Sequence, residues 1–257
     1  MRFVVIACAR TGSTHLMTQL AREDEIWSHG EIFGRKGVLV RVPGWPDVKP
    51  SAELEAELRA LRTADPEAFL ARVYAMDWGR SHVGFKMLER HAPAMLAQIV
   101  TDPGIAKIVL FRANVLANYA SKLVASQAGV WGVNEQERRA AVPPVRFEAQ
   151  AFVAHHDKYM GFYARTLALL NETGQAYQLV RYDELNSQTF IAKLVRFLGV
   201  ASAPRPSPAP DPVRGSVDIL SRFSNPGAAR HFLKLRSRSE WAHESEVNFN
   251  PLSGPTP

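Results

Sequence analysis

The stretch RFVVIACARTGSTHL, residues 2–16, decides the fold of this chain. Its apolar run suits a buried parallel strand, and the short turn that follows carries Arg10 and Gly12 and opens a helix rich in hydroxyl groups. Unpaired N–H groups and the dipole at such a helix N-terminus favour an anion. Gly12 allows the backbone to approach that anion, and Arg10 adds a positive charge. The stretch therefore predicts a loop that binds phosphate or sulfate.

This loop differs from the common ATP- and GTP-binding loop. That loop reads G-x-x-x-x-G-K-[ST], whereas here the first Gly and the Lys after Gly12 are missing. The Mg²⁺-binding part of the pattern is therefore not predicted. An ordinary strand–turn–helix junction, in which Gly12 serves only the backbone, is the alternative interpretation.

Length and composition predict a soluble α/β protein. The chain has 257 residues, a length that suits one α/β domain with a small helical annex. Of these residues 46% are hydrophobic and 22% are charged, which is ordinary for a soluble globular protein. It contains no apolar run long enough to span a bilayer, and residues 2–7 suit a strand rather than the apolar part of a signal peptide. The single cysteine, Cys8, excludes an internal disulfide. We expect a cytoplasmic protein without a transmembrane segment.

The positive charge of the chain predicts an anionic ligand. The formal net charge is +6, and the pI is near 9.6. The sequence shows no zinc-finger spacing, no RNP-like aromatic motif and no basic low-complexity tail. A small phosphorylated cofactor explains the charge as well as nucleic acid does, and the loop favours the small anion. We therefore expect no nucleic-acid partner.

Strand and helix patterns alternate along the chain, which predicts an α/β fold with a mostly parallel central sheet flanked by helices. The residues from Ile26 to Pro50 look irregular. Strands are predicted at 2–7, His82–Leu88, Ala106–Phe111 and Tyr177–Arg181. Helices are predicted at Ala52–Arg62, 65–76, Ala92–Val100, Asn114–Ser126, Phe147–Thr173 and Ser187–Leu198. We divide the chain into a core domain at 1–202, a proline-rich connector at 203–213 and a helical, basic C-terminal extension at 214–257 that packs on the core.

A second stretch, KIVLFRANVLANYAS at residues 107–121, repeats the passage from strand to helix. Arg112 lies at the carboxyl end of the predicted strand, where open α/β sheets bind ligands. Ser121 lies two helical turns after Asn114 and shares its helix face. Arg112 and Ser121 together can hold one phosphate through charge-assisted hydrogen bonds. The alternative is a surface arginine followed by an ordinary helix serine.

Both stretches resemble segments of the sulfotransferases that use 3′-phosphoadenosine 5′-phosphosulfate (PAPS). RTGST at 10–14 resembles their 5′-phosphosulfate loop. The segment at 112–121 resembles the 3′-phosphate segment of the bacterial nodulation and trehalose sulfotransferase branch, with Ala113 where a second Arg is frequent. That departure makes a C-terminal basic cluster a candidate for additional phosphate affinity, and it consists of Arg230, Lys234, Arg236 and Arg238.

Three further segments extend the resemblance in the same order. SHGEIF at 28–33 is similar to the family's Glu-x-Phe segment, and GFKML at 84–88 is similar to its lysine-bearing strand. VRYDEL at 180–185, followed by FLGV at 197–200, resembles the family's Tyr-Glu-Asp-Leu segment. The resemblance covers roughly residues 2–200 and implies the P-loop-like sulfotransferase fold.

The resemblance implies a reaction and a set of cofactor-binding residues. The sulfuryl group of PAPS moves to an acceptor, 3′-phosphoadenosine 5′-phosphate (PAP) is released, and no metal is needed. Arg112 and Ser121 would hold the 3′-phosphate. The 5′-phosphate would be bound by the loop residues Arg10, Thr11, Gly12, Ser13 and Thr14, and Arg10 would also be catalytic by stabilising the leaving phosphate. The branch implies a carbohydrate or glycolipid hydroxyl as the acceptor, bound by residues 35–80, and a homodimer is compatible with the sequence.

The resemblance also suggests catalytic residues. Glu31 corresponds to the family's catalytic base, and His29 is its rival because the cytosolic branch uses a histidine. Lys86 would lie near the active centre, or simply pair with a carboxylate such as Glu31 or Glu89.

Two further residues have open roles. His15, in the first turn of the loop helix, either reaches the acceptor or packs. Tyr182 either shapes the adenine pocket or belongs to the core.

Two other functions stay open at this stage. A P-loop kinase of nucleotides or small molecules would need a lysine in the loop and Mg²⁺-binding carboxylates at a strand end. A nucleotide-binding module without catalysis would use Arg10, Arg112 and Ser121 but would not depend on Glu31.

Overall fold

A computed structural model describes residues 1–35, 37–129, 142–201 and 217–244. These residues form two compact units. The first unit contains residues 1–111 and the described residues from 168 to 201. The second contains the described residues of 112–167 and the segment 217–244. The proline-rich connector predicted at 203–213 lies outside the described residues.

A five-stranded sheet forms the centre of the first unit, and all of its neighbouring strands are parallel. The strands are β1 (Arg2–Ala7), β2 (Ile26–Ser28), β3 (His82–Leu88), β4 (Ile105–Phe111) and β5 (Tyr177–Arg181). Their order is β2-β3-β1-β4-β5, so β1 lies between β3 and β4. This arrangement confirms the predicted α/β fold with a parallel central sheet. It also places the loop after β1 at the point where the strand order reverses, which is where open α/β sheets bind ligands.

The edge strand β2 was not predicted. The sequence from Ile26 to Pro50 looks irregular, but Ile26, Trp27 and Ser28 pair with the start of β3. Three residues are too few to show the alternation that identifies a strand. The strand exists because β3 offers it a partner, which is a tertiary effect.

Eight α-helices are found among the described residues. They are α1 (Ser13–Leu20), α2 (Ala52–Ala64), α3 (Pro66–Tyr74), α4 (Pro93–Thr101), α5 (Val115–Ala128), α6 (Ala149–Glu172), α7 (Gln188–Phe197) and α8 (Pro226–Leu235). Asp65 caps the start of α3, because its carboxylate accepts a hydrogen bond from the Ala68 N–H at 2.9 Å. The Ser187 hydroxyl caps α7 in the same way by accepting from the Phe190 N–H.

Helices cover both faces of the sheet in the first unit. Phe3 and Val5 of β1 lie in a buried cluster with residues of α1 and α7. Val4, which lies between them, pairs with Phe85 of β3 and faces the opposite side of the sheet. There the Phe85 ring contacts Tyr74 of α3, with ring centroids 5.6 Å apart. The sheet is therefore the middle of three layers, which explains why its central strands are mainly apolar.

The second unit has a core of aromatic rings. Tyr119 of α5 contacts Phe152 of α6 with centroids 5.4 Å apart, and Phe147 contacts Phe223 at the same separation. Backbone hydrogen bonds join Val145 to Arg222 and Ser224. The described C-terminal segment 217–244 therefore packs on α5 and α6 through buried rings.

A substitution at Gly84 tests the packing of the central strands. Gly84 lies in register with Phe3, and a Cβ at this position would overlap the Phe3 ring. We expect Gly84→Ala to lower the free energy of unfolding by about 1–3 kcal/mol, because the ring is buried and must shift. Gly227→Ala is the control, since a Cβ there meets nothing within 4 Å. Chemical denaturation measures both, and equal effects would contradict this packing.

Candidate active site

The loop after β1 has a backbone that requires glycine at one position. Gly12 has φ 85°, in the left-handed region, and it forms the N-cap of α1. A Cβ on Gly12 would lie 2.6 Å from Leu185 Cδ1 and 2.9 Å from Tyr182 Cδ2. No side chain of a described residue caps α1. The loop therefore leads directly into the uncapped amides at the start of the helix, which suits an anion.

The hydroxyl groups of the loop have different partners. Thr11 is fully buried, and its hydroxyl donates to the Cys8 carbonyl at 2.8 Å, so it stabilises the turn. Ser13 is also buried. Thr14 is half-buried, and its Oγ1 accepts a hydrogen bond from Lys86 Nζ at 2.6 Å. Thr14 is thus the loop hydroxyl that connects α1 to β3.

Lys86 forms an ion pair with Glu31. Lys86 pairs in register with Val5, so it faces the side of the sheet that α1 covers. Its Nζ lies 3.0 Å from Glu31 Oε1, and both side chains are largely enclosed. Glu89, the other carboxylate that the sequence offered, instead accepts the Ala9 N–H at 2.9 Å. The pairing of Lys86 with Glu31 is therefore the correct one of the two alternatives.

His91 contacts the second oxygen of the Glu31 carboxylate. His91 Nε2 lies 3.5 Å from Glu31 Oε2, and His91 Nδ1 accepts the Leu88 N–H at 3.2 Å. The ring is buried, with 5% of the residue exposed. The sequence analysis missed this residue, because it lies in the short turn between β3 and α4 and belongs to no motif. Its position just after the lysine-bearing strand was the one available signal.

The surroundings of Glu31 keep it ionised. Burial favours the neutral acid, but the hydrogen bond from His91 and the charge of Lys86 together outweigh it and lower the pKa of Glu31 from 4.5 to about 2. Burial lowers the pKa of Lys86, and Glu31 acts in the opposite direction. Glu31 is therefore a carboxylate at neutral pH, placed beside a cation.

His29, the rival base, lies in a different environment. It is fully buried, and its Nδ1 accepts the Arg41 N–H at 3.1 Å. Burial lowers the pKa of His29 to about 4. The Glu31 side chain, by contrast, is 27% exposed. Of the two candidates, Glu31 is therefore the one whose side chain reaches the surface of this structure.

In the second unit, Arg112 is bound to a carboxylate. Arg112 is 4% exposed, so it is not the surface arginine of the alternative interpretation. Its Nε donates to Glu244 Oε1 at 2.8 Å, and a second bond joins its guanidinium to Glu244 Oε2. The Arg112 N–H also donates to the Tyr159 hydroxyl at 2.8 Å. Ser121 is half-buried on α5. No sequence motif connects Glu244 to Arg112, because the two residues lie 132 positions apart.

Asn114 fixes the start of α5 to the C-terminal segment. Its side-chain oxygen accepts the Ala117 N–H at 2.9 Å, and its amide group donates to the His243 carbonyl at 2.7 Å. This second bond holds the backbone next to Glu244. The Arg112–Glu244 pair is therefore part of an anchored structure rather than a chance contact of two long side chains.

The remaining predicted site residues have local partners. The Tyr182 ring lies against Gly12 and packs on the buried cluster below α1. His15 Nε2 lies 3.3 Å from Gln19 Nε2, one helical turn away. In the C-terminal basic cluster, Arg236 lies over the Phe232 ring and Arg238 over the Trp241 ring.

The comparisons with known proteins give distant structural likenesses. No protein-family model matches this sequence, and the comparison with curated proteins gives no match. A sulfotransferase from Alicyclobacillus acidocaldarius is similar with a TM-score of 0.47 and 17% identity, over 93% of this chain and 94% of the other.

Two sulfotransferase domains are also similar. The domain of the Synechococcus PCC 7002 olefin synthase has a TM-score of 0.39 and 15% identity, over 90% of this chain and 87% of the other. The domain from the curacin biosynthetic pathway has a TM-score of 0.38 and 13% identity, over 98% of this chain and 94% of the other. Structural similarities this distant do not establish a function, so the function is argued from the residues of this chain.

Among the described residues, no helix is both long and apolar enough to cross a membrane. A group of three or more His, Cys, Asp or Glu residues placed to hold a metal ion is likewise absent from this part of the chain.

The pH dependence of stability tests the Glu31 contacts. The folded-state pKa of about 2 lies below the ordinary 4.5, so ionised Glu31 stabilises the fold above pH 4.5, and this contribution is lost as the pH falls towards 2. We expect the Tm advantage of the wild type over Glu31→Gln to be largest above pH 4.5 and to shrink below it. Thermal melts followed by circular dichroism measure this. Glu67→Gln, at an exposed position, is the control. A difference in Tm between wild type and Glu31→Gln that stays constant with pH would contradict the pairing of Glu31 with Lys86 and His91.

Proposed function

We propose that this chain is an enzyme that transfers a sulfuryl group from PAPS to a hydroxyl group of an acceptor. One observation carries the proposal. A continuous set of contacts joins the carboxylate of Glu31 to the ammonium of Lys86 and the hydroxyl of Thr14, at 3.0 and 2.6 Å. This set connects a proton acceptor and a cation to the first turn of the helix that begins at the predicted anion loop.

The chemistry of the loop fits the 5′ end of the donor. The left-handed Gly12 gives the backbone close access, the first amides of α1 have no side-chain cap among the described residues, and Arg10 supplies charge. The buried Thr11 would contribute through its backbone, since its hydroxyl is bound to Cys8. Tyr182, whose ring lies against Gly12, is proposed for the adenine end.

In the second unit, Arg112 and Ser121 are proposed to hold the 3′-phosphate. Arg112 is buried and already binds the two oxygens of a carboxylate, which shows that its guanidinium is oriented for bidentate contact with an oxyanion. A phosphate at this position would replace Glu244. The C-terminal basic cluster is the second candidate for this contact.

The residues of the site divide the chemistry between them. The bound donor supplies a sulfuryl group, whose bond to the 5′-phosphate breaks as its bond to the acceptor oxygen forms. Glu31 takes the proton of the acceptor hydroxyl, a contribution that is typically about 10²–10⁴-fold in rate. Lys86, Arg10 and the α1 amides stabilise the negative charge that grows on the leaving phosphate, as in phosphoryl transfer.

The acceptor is proposed to be a carbohydrate or glycolipid hydroxyl. This proposal rests on the sequence resemblance to the bacterial nodulation and trehalose branch. Residues 35–80 are proposed to bind the acceptor, because the backbone of Leu39 is hydrogen-bonded to the backbone of the base Glu31 and of its neighbour Gly30. The cytoplasmic location and a homodimer stay predictions of the sequence.

Ligand selectivity is the first test of the proposal. Thermal shifts with PAP, adenosine 5′-phosphate, ATP and ATP plus Mg²⁺ rank the affinities, because stabilisation grows with ligand concentration over its dissociation constant. We expect PAP to give the largest shift. Preference for ATP with Mg²⁺ would replace the proposal with the kinase alternative.

Replacing the base tests catalysis separately from binding. We expect Glu31→Gln to lower turnover by about 10²-fold or more and to leave the thermal shift with PAP in place. Turnover is measured as PAP formed from PAPS with a panel of sugars and glycolipids. Glu67→Gln is the control for the loss of an exposed carboxylate. Binding of PAP without turnover in the wild type would favour the non-catalytic nucleotide-binding module.

Replacing Glu244 tests the 3′-phosphate site. Glu244→Gln keeps the shape of the side chain but removes the charge that neutralises Arg112. We expect this variant to bind PAP more tightly than the wild type and to melt at a lower temperature, because Arg112 is left with an unmet charge. Adenosine 5′-phosphate, which lacks the 3′-phosphate, is the control ligand, and its affinity should not increase in the variant. Unchanged PAP affinity would mean that Arg112 is structural and that the 3′-phosphate binds elsewhere.

A further inference from the structure

We propose that His91 is the positioning residue for Glu31, holding its carboxylate through the Nε2–H group while Lys86 holds the other oxygen. The two contacts lie on different oxygens, Oε2 at 3.5 Å from His91 and Oε1 at 3.0 Å from Lys86. The catalytic consequence rests on the proposed function, whereas the placement of Glu31 does not.

The backbone fixes which nitrogen of His91 carries the proton. Leu88 N–H donates to His91 Nδ1 at 3.2 Å, so Nδ1 acts as an acceptor, and the proton of the neutral ring lies on Nε2. Nε2 faces Glu31 and therefore donates to it. Because Nε2 already carries a proton, His91 cannot take one from Glu31 at this atom. His91 thus orients the base and does not act as a second base.

The turn that carries His91 holds the ring in place. The His91 N–H donates to the Leu88 carbonyl at 2.9 Å, which closes the turn together with the side-chain bond to Leu88. Ala92 has φ 24°, an unusual value for a residue with a side chain, and Pro93 begins α4 directly after it. The Glu89 side chain of the same turn accepts the Ala9 N–H and joins the turn to the anion loop.

The charges around Glu31 explain why a second contact is needed. Lys86 is the cation in direct contact with Glu31, and Arg10 and Arg41 act on Lys86 through their charges. With Lys86 as its single partner, the carboxylate would be free to rotate about its Cγ–Cδ bond and to present either oxygen. His91 removes this freedom, because it fixes the second oxygen. A base held in one orientation reacts faster than one that samples several.

Two variants of His91 separate its hydrogen bond to Glu31 from its hydrogen bond to the Leu88 N–H within the turn. His91→Asn keeps a side-chain oxygen near the position of Nδ1 for the Leu88 N–H but has no donor near Nε2. His91→Gln places its amide group at the reach of Nε2 and keeps the donor to Glu31. Both variants are compared with wild type by thermal melting, so that a general loss of fold is detected in either.

The Glu31 carboxyl resonance provides a readout that does not need turnover. Protein labelled with ¹³C at the glutamate carboxyl carbons is titrated with acid, and the Glu31 signal is identified by its absence in Glu31→Gln. We expect His91→Asn to raise the midpoint of the Glu31 titration, since it removes a contact that favours the carboxylate. His91→Gln should leave the midpoint close to that of wild type.

Kinetics provide the second readout. We expect His91→Asn to lower kcat by about 10- to 100-fold with an unchanged KM for PAPS, and His91→Gln to recover most of the loss. Equal midpoints and equal kcat values in Asn, Gln and wild type would overturn the proposal. If wild type transfers no sulfuryl group at all, the proposed function fails, and the titration alone decides whether His91 positions Glu31.

Discussion

The buried ammonium group of Lys86 is the constraint on which the first unit depends. Lys86 interrupts the apolar strand β3 and is 6% exposed, and an unpaired charge at such a position would cost several kcal/mol. Glu31 supplies the opposite charge and Thr14 supplies a hydroxyl acceptor. The compensation of one charge therefore fixes the segment after β2 and the first turn of α1 relative to the centre of the sheet. The contacts that compensate the buried charge of Lys86 are therefore the same ones that place the Glu31 carboxylate near the loop.

Under the proposed function, this arrangement links anion binding at the loop after β1 to the strength of the base. A carboxylate beside an ammonium group is a weak proton acceptor, and His91 and Lys86 lower the pKa of Glu31. Thr14, in the first turn of α1, is the second partner of the same ammonium group. An anion at the loop that drew Lys86 away from Glu31 would remove one cause of the low pKa of Glu31 and make the carboxylate a better base.

The parts of the structure that depend on local sequence were predicted, and those that depend on distant residues were not. The strands β1, β3 and β4 are rich in apolar residues because both faces of the sheet are covered, so each was recognisable by itself. Gly12 was recognisable because its turn requires a left-handed residue. The three-residue strand β2 exists through its pairing with β3, and no periodicity shows it.

The site was predictable to the same extent. Glu31 and Lys86 each stand in a short motif, and charge compensation made their pairing one of two alternatives. The role of His91 follows from a backbone turn that the residue types do not specify, since an Arg-His-Ala-Pro stretch reads as the approach to a helix. His29 lies two residues before Glu31, and whether a histidine points to the core or to a ligand depends on the packing of other segments. Here the Arg41 backbone and full burial decide it.

The pairing of Arg112 with Glu244 shows why a buried arginine does not by itself identify a ligand site. A buried guanidinium needs an oxyanion for stability, and a carboxylate of the chain or a phosphate of a ligand satisfies that need with the same geometry. The two roles differ in what happens when the internal carboxylate is neutralised. A structural pair loses stability and gains nothing, whereas a ligand site gains affinity for the anion that the carboxylate replaced. The anchoring of the neighbouring backbone by Asn114 supports the structural role, and the orientation of the guanidinium edge formed by Nε and Nη2 towards both oxygens of one carboxylate supports the ligand role. Under the proposed function both roles belong to one arrangement, in which Glu244 takes the place that the 3′-phosphate of the donor would occupy.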